Sequence, residues 1–172
     1  MKRLAVLAAV LAIAVGCGKS SNEPSGPVNP TFTADLRPAN EVPPIANAEA
    51  SGSGTATITF NVTRDAAGNI TSGTVSFQVT LSGFPANTPF NIAHIHQAPA
   101  GTTGSIVIST SLAAGEVTAN AQGGATITKS GIAAEPALLQ SIINNPAGFY
   151  FNVHSTLNPG GVARGQLVKT AG

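Results

Sequence analysis

The sequence predicts an all-β domain, an antiparallel β-sandwich or Greek-key barrel of about eight strands with one short helix. Apolar residues alternate with Thr, Ser and Asn along several stretches, which is the period of a half-buried strand. The 19 glycines and 12 prolines fall largely between these stretches, as expected for turns. Charged residues make up 9% of the chain, against roughly 25% in an average domain. The surface is therefore weakly charged, and nucleic-acid binding is not expected.

The strands can be assigned in chain order. Residues 31–37 alternate Phe32, Ala34 and Leu36 with polar side chains, and Pro38 ends the strand. A long hairpin is predicted next, from residues 53–64 and 70–81, joined by a turn of Asp, Gly and Asn. Residues 82–91 read as a Pro/Gly/Asn loop. Further strands are predicted at residues 92–97, 105–111, 116–121, 125–129, 149–155 and 162–169.

The helix is predicted at about residues 135–145. Its apolar residues recur at helical spacing: Leu138, Leu139, Ile142 and Ile143. Pro136 suits the first helical turn, and Pro146 ends the helix. We expect the helix to cover an open end or edge of the sheets.

The first thirty residues have the features of an export signal. Lys2 and Arg3 precede an apolar run over residues 4–15, which is too short to span a bilayer. Residues 1–16 are predicted to be a signal peptide, because Ala14-Val15-Gly16-Cys17 resembles the bacterial lipobox. Cys17 is the only cysteine, so it has no disulfide partner within the chain and is expected to carry the lipid.

Residues 17–30 are rich in Ser, Gly, Pro and Asn, the composition of a flexible linker. The folded domain is predicted at residues 31–169. These features together predict an exported lipoprotein that is anchored to the membrane of a bacterial cell envelope.

The candidate functional residues lie on the predicted strands. His94 and His96 share one face of their strand, because side chains two residues apart point the same way. His154 shares a polar face of the last hairpin with Asn152 and Arg164. If the two strands are neighbours, the three histidines of the chain converge on one point.

Two interpretations of these histidines remain open. Three imidazoles with an open position suit zinc, and nitrogen donors also suit copper, so His94, His96 and His154 are candidate ligands. In the structural alternative, the imidazoles and Arg164 hydrogen-bond loop carbonyls and hold loops against the sheet. Glu41 can pair with Arg164 or with a histidine in either case.

The chain resembles the CHRD domain, a module named for chordin and also found in bacterial secreted and lipid-anchored proteins. The resemblance covers about residues 31–168. It rests on four motifs in the family's order: Asn40-Glu41-Val42-Pro43-Pro44, Ala93-His94-Ile95-His96, Asn152-Val153-His154 with Asn158-Pro159-Gly160-Gly161, and Arg164-Gly165-Gln166-Leu167. Position 40 is Asn where the family commonly has Gln. In chordin the modules serve an extracellular antagonist of growth factors, so the resemblance also implies an extracytoplasmic protein partner.

The family is in turn distantly similar to copper/zinc superoxide dismutases. That similarity implies copper-site positions at His94, His96, His154 and Arg164. The dismutase pattern also needs a bridging histidine and a zinc-binding aspartate, and this chain has only three histidines. A complete two-metal site is therefore excluded, whereas a site for one ion is not.

The sequence contains no nucleophile elbow, no Walker loop and no dinucleotide fingerprint. We therefore expect a lipid-anchored envelope protein with one CHRD domain and a binding or structural role rather than an enzymatic one. The alternative is a mononuclear copper or zinc protein with weak redox activity.

Overall fold

The computed structural model describes residues 29–172. The predicted signal peptide and Cys17 lie outside the described residues, as does the linker up to residue 28. The described part contains ten strands and one α-helix: β1 Thr31–Leu36, β2 Ser53–Arg64, β3 Ile70–Ser82, β4 Pro89–Gln97, β5 Ser105–Ser109, β6 Val117–Thr118, β7 Ala125–Ala133, α1 Pro136–Asn144, β8 Phe149–Ser155, β9 Ala163–Gln166 and β10 Val168–Ala171.

The strands form two antiparallel sheets, as the predicted sandwich requires. The first sheet has the order β10-β1-β2-β3-β7, and the second has the order β5-β4-β8-β9 with β6 paired to β4. Both sheets contribute to one apolar core. Phe77 on β3 meets Phe151 on β8 across it, with ring centroids 5.7 Å apart. Over residues 29–172 neither sheet closes on itself, so the Greek-key barrel alternative is wrong.

The predicted count of about eight strands was too low, for local reasons. The stretch at 162–169 divides at Leu167, so that β9 stays in the second sheet while β10 joins β1 in the first.

The loop predicted at residues 82–91 is shorter in the structure, because Pro89 begins β4 and Phe90 is fully buried. Proline is tolerated as the first residue of a strand.

Three other boundaries also differ. β5 ends at Ser109, and Ser111 has a positive φ of 59°. β6 has only two residues. β7 continues to Ala133, past a break in register opposite Val75–Phe77, and Gly131 within it has a φ of 71° that glycine adopts readily.

The structure confirms the helix predicted at about residues 135–145. α1 spans Pro136–Asn144, with proline in its first turn. Leu139 and Ile142 are fully buried in the core. Leu139 lies directly over Gly73 near the start of β3, where a larger side chain would clash with it. The helix therefore closes one end of the first sheet.

Candidate metal centre

Strand alternation turns the histidines of β4 away from the apolar core. Ala93 and Ile95 are 1% and 0% exposed and face that core. His94 and His96 therefore lie together on the opposite face of the second sheet.

β8 brings the third histidine beside this pair. In the β4–β8 register, Asn152 is directly opposite His94, and His154 is opposite Ile92. His154 is thus the diagonal neighbour of His94. Ring centroids are 5.0 Å apart for His94 and His154, 5.5 Å for His94 and His96, and 6.2 Å for His96 and His154. Each ring offers one nitrogen, and these three atoms lie within 4.8 Å of one another.

Loop carbonyls hold two of the rings in place. His96 Nδ1 is 3.0 Å from the Gly104 carbonyl oxygen, and His154 Nδ1 is 2.9 Å from the Pro159 carbonyl oxygen. A carbonyl oxygen only accepts hydrogen bonds, so each Nδ1 must donate and the proton of the neutral ring is on Nδ1. The lone pair is then on Nε2 of both rings, which is the arrangement that second-sphere hydrogen bonds give to metal-binding histidines.

Each ring also keeps one buried nitrogen without a hydrogen-bond partner among the described residues. These atoms are Nδ1 of His94 and Nε2 of His96 and His154. Leaving a buried polar atom unsatisfied costs about 1–3 kcal/mol. Three such atoms on adjacent rings are therefore an unusual concentration, and Nε2 of His96 and of His154 presents a lone pair able to bind an ion.

The surroundings keep all three imidazoles neutral. Burial lowers the pKa of His94 to about 4, and repulsion from His154 and His96 adds to that effect. Burial also lowers the pKa of His96, where the Gly104 bond opposes it and the Arg164 charge adds to it. Burial likewise lowers the pKa of His154. Near neutral pH the rings are in the form that binds metals, without a proton to displace.

Tyr150 and Arg164 extend the site along the next rows of the sheet. Tyr150 is opposite His96 in the register, and the two rings are stacked with centroids 4.8 Å apart. The Arg164 guanidinium carbon lies 4.7 Å from the Tyr150 ring centroid. The guanidinium donates from Nε to the Asn40 carbonyl at 2.6 Å and from Nη1 to the Thr102 carbonyl at 2.9 Å. Arg164 thus holds two loops over the polar face.

Glu41 is buried against this cluster. Its Oε2 is 4.0 Å from Arg164 Nε, at the limit of an ion pair, and Oε1 has no partner among the described residues. Burial raises the pKa of Glu41 to about 7, although the Arg164 charge opposes this shift. Glu41 does not belong to the group of atoms around the histidines. The predicted pairing with Arg164 is therefore present but loose, and no pairing of Glu41 with a histidine is seen.

The two sequence alternatives turn out to be compatible. His96 and His154 do hold loops through Nδ1, as the structural alternative expects, and both rings leave Nε2 without a partner among the described residues. Of the sequence-predicted residues, Asn152 lies in the row with His94 and Arg164, and its Oδ1 is also without a partner among residues 29–172.

Several contacts of the site were not predicted from the sequence. The role of Tyr150 as a stacking partner follows from the β4–β8 register, which the alternation alone does not give. The Gly104 and Pro159 carbonyls depend on loop conformation. A separate buried contact, in which Glu49 accepts hydrogen bonds from Ser155 and Asn158, was also not anticipated.

Comparisons with known proteins identify one family. The sequence profile of the CHRD domain matches residues 32–167, which is most of the chain. Neither the curated proteins nor the solved structures gave a match.

Proposed function

The chain belongs to the CHRD domain family, and we propose that it is a metal-binding protein in which His94, His96 and His154 hold one copper or zinc ion. The observation that carries the proposal is the set of three buried imidazole nitrogens without hydrogen-bond partners, on rings whose nitrogens lie within 4.8 Å of one another. Imidazole is the commonest metal ligand in proteins, and nitrogen donors suit both of these metals.

The spacing is compatible with an ion after a small adjustment. Zinc–nitrogen bonds of about 2.0–2.1 Å place tetrahedral ligands about 3.4 Å apart. No two of these nitrogens are more than 4.8 Å apart, so a bound ion would draw any pair together by at most about 1.4 Å, less than an ångström per ring. His94 is free to rotate toward the other two rings, because its Nδ1 is not held by a carbonyl.

We propose a binding role rather than an enzymatic one. The three histidines are 5%, 7% and 6% exposed, which leaves little room for a substrate at the ion. Grooves of about 620 Å³ and 340 Å³ open beside Glu41, and neither is lined by a histidine.

We also propose that the domain is held at a bacterial envelope membrane by lipid on Cys17. The basic start, the apolar run and the lipobox-like residues 14–17 support this proposal. Within residues 29–172, no helix is long and apolar enough to cross a membrane. Cys17→Ser should release the protein from membranes, and continued lipid labelling of that variant would contradict the assignment.

The metal proposal is tested by loading the purified Cys17→Ser protein with copper or zinc and measuring bound metal per chain. Removing Cys17 first excludes a thiol as the ligand. We expect about one ion per chain, because residues 29–172 contain one such group of three nitrogens. A metal-dependent rise in melting temperature should accompany binding, since the ion binds the folded state.

The informative variant is His154→Asn. An asparagine amide nitrogen lies close to the position of Nδ1, so it can still donate to the Pro159 carbonyl, whereas Nε2 is lost. The metal-free variant should keep nearly the parent melting temperature but bind no ion. No uptake by the parent protein, or equal uptake by the variant, would leave only the loop-holding role for the histidines.

A further inference from the structure

We propose that the ion held by the three histidines is monovalent copper, Cu⁺, in preference to a divalent ion. This inference rests on the proposed function, and it concerns the charge of the ion rather than whether an ion binds. Four features of the site lead to it.

The first feature is the charge of the donors. All three candidate ligands are neutral imidazoles, and no Asp, Glu or Cys of the described residues joins their group. Asn152, the residue opposite His94, is also neutral. A divalent ion at this point would keep its full double charge, unless it recruited an anion from solvent.

The second feature is burial. Each histidine is 7% exposed or less, and the two grooves on this face do not reach the rings. The cost of moving an ion out of water grows with the square of its charge, so it is about four times larger for a divalent ion than for a monovalent ion of the same size. Solvent anions that would offset this charge have little access.

The third feature is a fixed positive charge nearby. The Arg164 guanidinium lies over Tyr150, which stacks on His96. Glu41 compensates only partly, because its carboxyl is 4.0 Å from Nε and takes up a proton near neutral pH. The repulsion between Arg164 and a divalent ion is therefore about twice that between Arg164 and a monovalent ion at the same place.

The fourth feature is the number of donors. The described residues supply three nitrogens within 4.8 Å of one another. Zinc usually takes four ligands in a tetrahedron, and Cu²⁺ prefers a square or tetragonal set. Cu⁺ accepts two or three donors, so it needs no fourth ligand.

The test is a competition on the Cys17→Ser protein. Cu⁺ is supplied without oxygen and challenged with bicinchoninate, a chelator selective for Cu⁺, and Zn²⁺ is challenged with a chromophoric zinc chelator. We expect the protein to retain Cu⁺ against a chelator excess that removes Zn²⁺, and to hold Cu²⁺ at least tenfold more weakly than Cu⁺. Each tenfold preference for Cu⁺ over Cu²⁺ raises the reduction potential of the bound copper by about 59 mV.

Asn152→Asp supplies the matched comparison, because it adds one negative charge beside His94 with almost no change in shape. The ratio of Cu²⁺ to Cu⁺ affinity should rise at least tenfold, with a corresponding fall in potential. If this variant does not fold, Arg164→Gln tests the same field, because removing the positive charge shifts the ratio in the same direction.

The outcomes separate the two proposals. Tight Zn²⁺ or Cu²⁺ binding with Cu⁺ lost to bicinchoninate would overturn this inference and leave the metal site standing. An unchanged affinity ratio in the folded variants would overturn the electrostatic argument. Failure of all three ions to bind would overturn the proposed function itself.

Discussion

Replacing Glu41 by Gln should make the protein increasingly more stable than the parent as pH rises from 5 to 8. Burial raises the pKa of Glu41 from 4.5 to about 7. Between these values the unfolded chain has released the proton while the folded protein still holds it. The stabilisation that protonated Glu41 gives the folded state is therefore fully present below about pH 4.5 and is lost as pH rises through about 7.

The size of this effect follows from the pKa. A carboxyl shifted from 4.5 to about 7 costs the folded state about 3 kcal/mol once it must ionise, and about 2.5 kcal/mol of that change falls between pH 5 and pH 8. Gln keeps the shape and cannot ionise, so its curve lacks this loss. In melting temperature, the difference between variant and parent should grow by roughly 5–10 °C over the same range.

The measurement is chemical denaturation of both proteins, without metal, at several pH values. The lowered pKa values of the three histidines make both proteins less stable in acid, and these terms cancel in the difference between parent and variant. A difference that stays constant from pH 5 to pH 8 would refute the reasoning. It would mean that Arg164 keeps Glu41 ionised with an ordinary pKa.

Three further predictions concern separate contacts. Tyr150 is the only tyrosine and the chain has no Trp, so the tyrosine fluorescence reports on the ring that stacks on His96. Cu²⁺ bound at the site should lower this fluorescence by more than half, whereas Zn²⁺ should leave most of it. Unchanged fluorescence with Cu²⁺ bound would contradict the stacking. Gly161→Ala should cost about 2–4 kcal/mol, because φ is 133° and a Cβ atom would lie 2.5 Å from Asn152 Nδ2 and 2.8 Å from a Glu41 oxygen. Gly160→Ala is the matched control, since nothing lies within 4 Å of its Cβ, and equal denaturation midpoints for the two variants would count against the crowding. Glu49→Ala should lower the unfolding free energy by about 2–3 kcal/mol, since it leaves the buried Ser155 hydroxyl without its acceptor; a loss below half a kcal/mol in urea would show that solvent replaces the carboxylate.

The sequence predicts which strands and which helix form better than it predicts where each of them ends. The hairpin of β2 and β3 was anticipated almost to the residue, because its alternation is long and one face is buried. The division of the last strand at Leu167 was not, since the local pattern is the same whether a strand stays in one sheet or crosses to the other. Helix α1 was anticipated from two prolines and four apolar positions, all of them local signals.

The candidate site was likewise predictable only in part. Which side chains share a face follows from the strand period, so the sequence predicts that His94 lies beside His96 and that His154 lies beside Asn152. It does not show that the two strands are neighbours, which the structure establishes. The distances between these side chains were not predictable, because they depend on the register between β4 and β8. The carbonyls of Gly104 and Pro159 lie in loops, whose paths are set by tertiary contacts rather than by pattern.

Strand β8 is covered on both faces, since all seven of its residues are buried. One side lies in the apolar core and the other beneath the loops that Arg164 and the histidines hold. Its amide hydrogens are therefore shielded from exchange by two independent layers, and opening one layer leaves the other in place. We expect the β8 amides to exchange with deuterium only through global unfolding, while those of the edge strand β10 exchange through local fraying. The residues that present His154 then occupy the slowest-opening part of the protein.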